Sequence, residues 1–195
     1  MKKHLFGALV VAMPLAAMAA PENYTLDPYH TYSYFEIDHL GVSTIRGSFN
    51  KMGGKFTIDH AAKSASVDLA VETASVTTGD VERGSRPRTR DEHLRTADFF
   101  NVAEFPRLTY KSTGVKFAGD NPAEITGTLT MMGIAKPVTL KIERWVCKDH
   151  PVSKKSMCGG NASGTLKRSD FGMKYGIPAI GDELKLYFGF EAYRD

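Results

Sequence analysis

The chain has 195 residues, with 25 Lys and Arg against 22 Asp and Glu and 42% apolar residues. That length holds one domain or two small ones, and the composition is globular rather than disordered or collagen-like. A formal net charge of +3 gives no global attraction for nucleic acid.

Residues 1–19 read as a secretory signal peptide. Lys2 and Lys3 form a basic start, Leu5 to Leu15 is an apolar run too short to span a bilayer, and Ala17-Met18-Ala19 is a cleavage site. Cutting after Ala19 leaves residues 20–195 as a single domain and removes two lysines, lowering the net charge from +3 to +1. There is no lipobox cysteine. The Lys-Lys start and the Ala-rich cleavage site indicate a bacterial exported protein, hence the periplasm. No second apolar run approaches ~18 residues, which excludes stable membrane insertion through a helix.

Beyond residue 30 the dominant period is two. Ser33, Phe35 and Ile37 alternate with Tyr34, Glu36 and Asp38, and Val67, Leu69 and Val71 with Asp68, Ala70 and Glu72. Ile125, Leu129, Met131 and then Val138, Leu140, Ile142 continue the pattern, as do Leu184, Leu186, Phe188 and Phe190. Such alternation places one set of residues on each face of a sheet. Further strands fit at 45–50, 54–59, 107–117 and 160–168, separated by the turn signals "KMGG", "GDNP", "GIAKP" and "GIPAIGD". Eight or nine strands in hairpin order predict an all-β fold. Closure into an eight-stranded antiparallel barrel removes the sheet edges and leaves an interior that is either filled or holds one small ligand.

One stretch breaks the period. In "RTRDEHLRTADFFNVAEFP" (88–106), Thr89 and Glu92 fit a capping box, and Asn101 with Glu104 repeats the pattern before Pro106. One or two short helices are therefore expected in the 80–106 connection. Cys147 and Cys158 do not form a CxxC redox pair. In an oxidising compartment they read as a disulfide closing the loop "KDHPVSKKSM", worth roughly 3 kcal/mol.

No metal-binding constellation, nucleophile elbow or phosphate loop is present, so no catalytic residue, metal or resident cofactor is assigned. Asp91 and His93 lie close in sequence, but positions i and i+2 do not face one another on a helix. Arg83, Arg86, Arg88, Arg90 and Arg95 could clamp an anionic headgroup; a solvated loop balanced by Asp80, Glu82, Asp91 and Glu92 is the plainer reading. Arg168 is expected to pair with Asp170 or another carboxylate.

The blocks "YTLDPYHTYSYFEIDHLGVSTIRGSF", "RDEHLRTADFFNVAEFP", "GTLTMMGIAKPVTL" and "RSDFGM" resemble the YceI-like family in order and spacing over nearly the whole mature chain. The resemblance implies an extended, lipocalin-like barrel, secreted, whose members include binders of a long polyisoprenoid such as a quinone tail. Thr31 stands where the family usually has Ser, Glu104-Phe105-Pro106 replaces Lys-Tyr-Pro, and the Gly79–Thr89 segment is longer and more basic than usual. On this reading Phe35, Ile37, Phe49, Val67, Leu69, Ile125, Leu129, Leu140 and Phe188 line the interior, and Leu94, Phe99 and Phe100 close it. His30, Arg90, Asp91, His93 and Arg168 serve a headgroup or the structure. The expected partner is a small-molecule lipid, an isoprenoid or quinone-like amphiphile, and a homodimer is compatible with the chain. Two other functions compete: a lipid-modifying enzyme using His30, His93 or Asp91, and a ligand-free stress or interaction protein.

Overall fold

The computed structural model describes residues 20–195; the expected signal peptide, residues 1–19, lies outside the described residues. The strand segments are β1 (Glu22–Leu26), β2 (Tyr32–His39), β3 (Ser43–Phe49), β4 (Met52–Asp59), β5 (Ser64–Glu72), β6 (Val76–Thr77), β7 (Arg107–Ala118), β8 (Asn121–Met131), β9 (Ile134–Asp149), β10 (Ser156–Lys167) and β11 (Ile180–Arg194).

The register merges these segments into eight staves. β2 and β3 form a hairpin with His39 opposite Ser43 and Ser33 opposite Phe49. The same two lengths of chain pair again where β1 meets β4, with Tyr24 opposite Phe56. So β1–β2 is one long strand interrupted at Asp27–Thr31, and β3–β4 is another. β5–β6 is a third, broken by a 3-10 turn at Thr73–Ser75, and pairs with β4 and then β3. The remaining strands follow in chain order, all antiparallel. β11 pairs with β10 on one side; on the other it meets β2 (Leu184 opposite Ile37) and β1 (Ala192 opposite Leu26). The sheet is thereby a closed eight-stranded antiparallel barrel, as expected.

The "KMGG" stretch is not a turn. Met52 begins β4 and is buried, so the chain continues through it without reversing. A single α-helix, α1 (Arg90–Leu94), occupies the long connection. Its capping box forms as expected: Glu92 N donates to Thr89 Oγ1 at 3.1 Å, and Thr89 N to the Glu92 carboxylate at 2.7 Å. The second helix does not form, because Asn101 adopts the left-handed region (φ +44°) and the chain there makes only turns. Cys147 and Cys158 are disulfide-bonded. They are direct cross-strand partners, so the bond staples β9 to β10 as well as closing the loop.

Up-and-down order gives the barrel two unlike ends. The 40–42 turn, the 78–106 connection, the 132–133 turn and the 168–179 segment meet at the upper end. The lower end carries the short links 60–63 and 119–120, the disulfide-bounded loop and the C-terminus. Inside, aromatic rings lie over cross-strand glycines. A Cβ on Gly47 would stand 2.2 Å from Phe35 Cζ, and one on Gly127 2.4 Å from Tyr110 Cζ. The Tyr110 hydroxyl, laid across the interior by this contact, donates to the carbonyls of Val138 (3.1 Å) and Ile125 (3.2 Å). Burial pushes its pKa up to about 12.

Gly127→Val should therefore over-pack the interior and destabilise the barrel by about 1–3 kcal/mol, read as a lower urea midpoint. An unchanged midpoint would mean that both the Tyr110 ring and the Lys111 carbonyl, 2.6 Å from that Cβ, give way at no cost.

Candidate binding site

Three chambers are stacked along the barrel. The upper one, beneath the 78–106 connection, has a volume of about 420 Å³. A middle chamber of about 80 Å³ and a lower one of about 70 Å³ follow, and their walls are almost wholly apolar. Phe35, Phe100 and Leu184 face both the upper and the middle chamber. Leu69, Tyr110, Leu140 and Phe188 face both the middle and the lower. One set of inward residues thus runs as an apolar column from the upper end toward the lower.

The residues expected inside are all on chamber walls. Ile37, Leu94 and Phe99 face the upper chamber, with Phe35 and Phe100 shared below it. Phe49 and Leu129 face the middle, and Val67 and Ile125 the lower, with Leu69, Leu140 and Phe188 between them. For the strand residues period-two parity is the reason: once one residue of a strand points in, its alternates follow; Leu94, Phe99 and Phe100 come from α1 and the turns after it. Tyr110, Met52, Trp145, Phe190 and Met173 are also on the walls, beyond the expected lining residues. Parity with Leu108 and Phe188 marks Tyr110 and Phe190. Met173 sits in a turn and carries no periodic signal.

The upper chamber alone has a charged lining. Arg86, Arg88, Arg90, His39, His93 and Arg168 face it, together with Thr78 and Thr89. Arg86 grips Asp80 with both terminal nitrogens (2.8 and 2.7 Å), and the Arg90 amide donates to the same carboxylate at 2.6 Å. The Arg86 bond first, then the Arg90 amide, hold the Asp80 carboxyl down at about 2. Among the described residues the Arg90 side chain donates only to Thr78 Oγ1, at 2.7 Å. His93 Nε2 is 2.8 Å from Asp98, and its ring stands edge-on to Phe99 and Tyr175. That hydrogen bond lowers the Asp98 pKa.

Two of the expected polar residues are structural. Asp91 is buried and latches the connection to the end of β6: Thr77 Oγ1 and Thr78 N donate to it at 2.8 Å and Thr78 Oγ1 at 2.5 Å. Arg168, 1% exposed, forms no ion pair with Asp170 among the described residues. It donates instead to the carbonyls of Gly181 (2.8 Å), Ile180 (2.9 Å) and Met173 (3.1 Å), locking the 168–181 turn against the chamber. Burial lowers its pKa. The 3-10 turn Arg168–Phe171 aims the guanidinium inward, while Asp182 is taken by Ser169.

His30 lies elsewhere. In the β1–β2 interruption its ring is exposed on the outer surface, 2.6 Å from Asp27 and 3.9 Å from Glu191. The Asp27 hydrogen bond raises its pKa. His30, His93 and Asp91 therefore sit in three separate polar settings and do not converge on one reacting atom. None of the described helices is long and apolar enough to cross a membrane.

Comparison with known proteins agrees with this architecture. A family model described as the YceI-like domain matches residues 24–192. A UPF0312 protein of Pseudomonas aeruginosa is 38% identical over 190 residues, covering 96% of this chain and 95% of its own. Protein YceI of Salmonella heidelberg is 36% identical over 195 residues, with coverage of 98% and 97%. Among solved structures, the Campylobacter jejuni YCEI protein superposes with a TM-score of 0.64 at 27% identity, over 81% of this chain and 90% of that one. A polyisoprenoid binding domain from Saccharophagus degradans gives a TM-score of 0.61 at 18% identity, over 88% and 98%.

Asp91→Ala strands the donors of Thr77 and Thr78 and should destabilise the connection by about 1–3 kcal/mol, seen as faster amide exchange across 78–106 than in the barrel strands. Unchanged exchange there would refute the latch. Asp80 gives a pH signature. Its folded pKa lies below the usual carboxylate value, so its contribution is complete above about pH 4 and is lost as the pH falls toward 2. The Arg90 amide resonance should titrate in that acid window, and a midpoint near 4 would show that the Arg86 bond does not hold in solution.

Proposed function

The chain belongs to the YceI-like domain family, and from that premise we propose that it is a periplasmic carrier that holds a long-chain isoprenoid, quinone-like or a similar amphiphile, in its barrel. The observation that carries this reading is the continuous apolar column under a polar upper chamber. An isoprenoid tail has no hydrogen bonds to satisfy, so burial at roughly 25 cal/mol per Å² of apolar surface is enough to retain it. The head rests in the upper chamber, the only one whose lining is charged. Phe35, Ile37, Phe49, Val67, Leu69, Leu94, Phe99, Phe100, Ile125, Leu129, Leu140 and Phe188 are the proposed tail contacts. The Saccharophagus degradans domain of the same fold, named for polyisoprenoid binding, supports the ligand class. The basic, apolar and Ala-rich start and the disulfide support the compartment.

The size of the lower chambers favours a second reading, a filled barrel acting as a stress or interaction protein. About 80 and 70 Å³ are each less than the ~150 Å³ cavity that takes up benzene. A tail enters only as the rings between chambers, Phe100, Tyr110 and Phe188, turn aside.

Native mass spectrometry of protein purified from the periplasm, followed by organic extraction, separates the two. The carrier gives a stoichiometric long-chain lipid, and Leu129→Arg, which puts a charge in the middle chamber, reduces its retention at least about tenfold. A clean apo mass, with no uptake of added isoprenoid quinone, would leave the filled barrel.

A further inference from the structure

We propose that the upper chamber is an oxyanion site, so that the carried amphiphile bears a phosphate or carboxylate head. This deepens the carrier reading and rests on it. Six basic side chains (Arg86, Arg88, Arg90, Arg168, His39 and His93) line the chamber and no Asp or Glu does. The neighbouring carboxylates are spent behind the wall: Asp80 on Arg86 and the Arg90 amide, Asp98 on His93 and Arg88, Asp91 on Thr77 and Thr78, Asp182 on Ser169.

Two guanidiniums have no carboxylate in direct contact, although Asp80 lies near Arg90 and Asp182 near Arg168. Among the described residues neither Arg90 nor Arg168 forms an ion pair. Arg90, half-buried, uses one donor, on Thr78. Arg168, buried, uses three, all on neutral carbonyls. A guanidinium has five N–H donors in a planar fork matched to carboxylate and phosphate oxygens. A cation withdrawn from water beside an apolar cavity is costly unless it is paired. An incoming oxyanion supplies the direct partner both lack, and its tail continues into the apolar column below. A neutral alcohol or quinone head fills the same volume but leaves both guanidiniums without a charged contact.

The test uses the mature full-length chain, stripped of lipid, with four probes: geranylgeranyl monophosphate, geranylgeraniol, palmitate and hexadecanol. Binding is followed by calorimetry and by the fluorescence of Trp145, the one tryptophan, which faces the lower chamber and reports arrival of the tail. Each anion should bind at least about tenfold more tightly than its matching alcohol at low salt. Arg90→Gln, which removes the charge and replaces neither a capping-box residue nor Asp91, should shrink that preference to within about threefold. A tighter phosphate points to a prenyl phosphate as the natural source, and a tighter palmitate to a fatty acid; both outcomes support the oxyanion site. Alcohols binding as tightly as anions, or a preference unchanged in a folded Arg90→Gln protein, overturn the oxyanion site and leave the carrier standing. If none of the four binds, the oxyanion site falls; the carrier reading falls with it only if the same stripped protein also fails to take up an isoprenoid quinone.

Discussion

Everything in this molecule depends on the requirement that strand backbones find partners. A meander of eight staves would expose two rows of unpaired amides and carbonyls; joining the last stave to the first removes both. Closure also converts a one-dimensional pattern into an inside and an outside. Every second residue of a strand is committed to the interior, whether or not the interior needs it. The apolar column is thus a by-product of sheet closure before it is a binding feature. The interruptions at Asp27–Thr31, Asn50–Lys51 and Thr73–Ser75 let long staves bend around the barrel without giving up this commitment.

The two ends solve different problems. At the lower end short links and a disulfide close the staves with local contacts. At the upper end a long polar connection lies over an apolar opening, and its own backbone must be satisfied there. Asp91 answers donors of Thr77 and Thr78, Arg168 answers three carbonyls, and Arg95 donates to the carbonyls of Ala74 and Val76. Charged side chains here act largely as backbone partners. The acidic residues are consumed outward, and the basic ones remain facing the chamber.

How much of this could be read from the sequence follows the same division. Alternation in Phe35–Ile37, Leu69–Val71 and Leu184–Phe190 marks strands with one apolar face, because a period of two separates the faces of a sheet; the closing register, with Leu184 opposite Ile37, makes that face a barrel interior rather than one layer of a sandwich. The capping box at Thr89 and Glu92 marked α1, because that signal is local. Arg168 was misjudged as an ion-pair partner: its acceptors are carbonyls 5 to 13 residues away, brought near only by the turn before β11. Nor does the Arg86–Arg90 run announce which of its side chains look into a chamber, since that depends on where Asp80 folds back. "KMGG" resembled a turn because its glycines permit one, yet the neighbouring staves hold it extended.

The seam between β11 and the β1–β2 stave sets an order of events for a chain that emerges N-terminus first. Hairpins between neighbouring staves can form as the chain lengthens, since their partners are close in sequence. The first stave, however, waits for residues 180–194. Until those residues arrive it is an open edge, with its apolar face uncovered and its amides ready to recruit another copy. A chain lacking residues 180–194 is therefore a sticky curved sheet rather than a smaller barrel, and β11 is the stave that converts the one into the other.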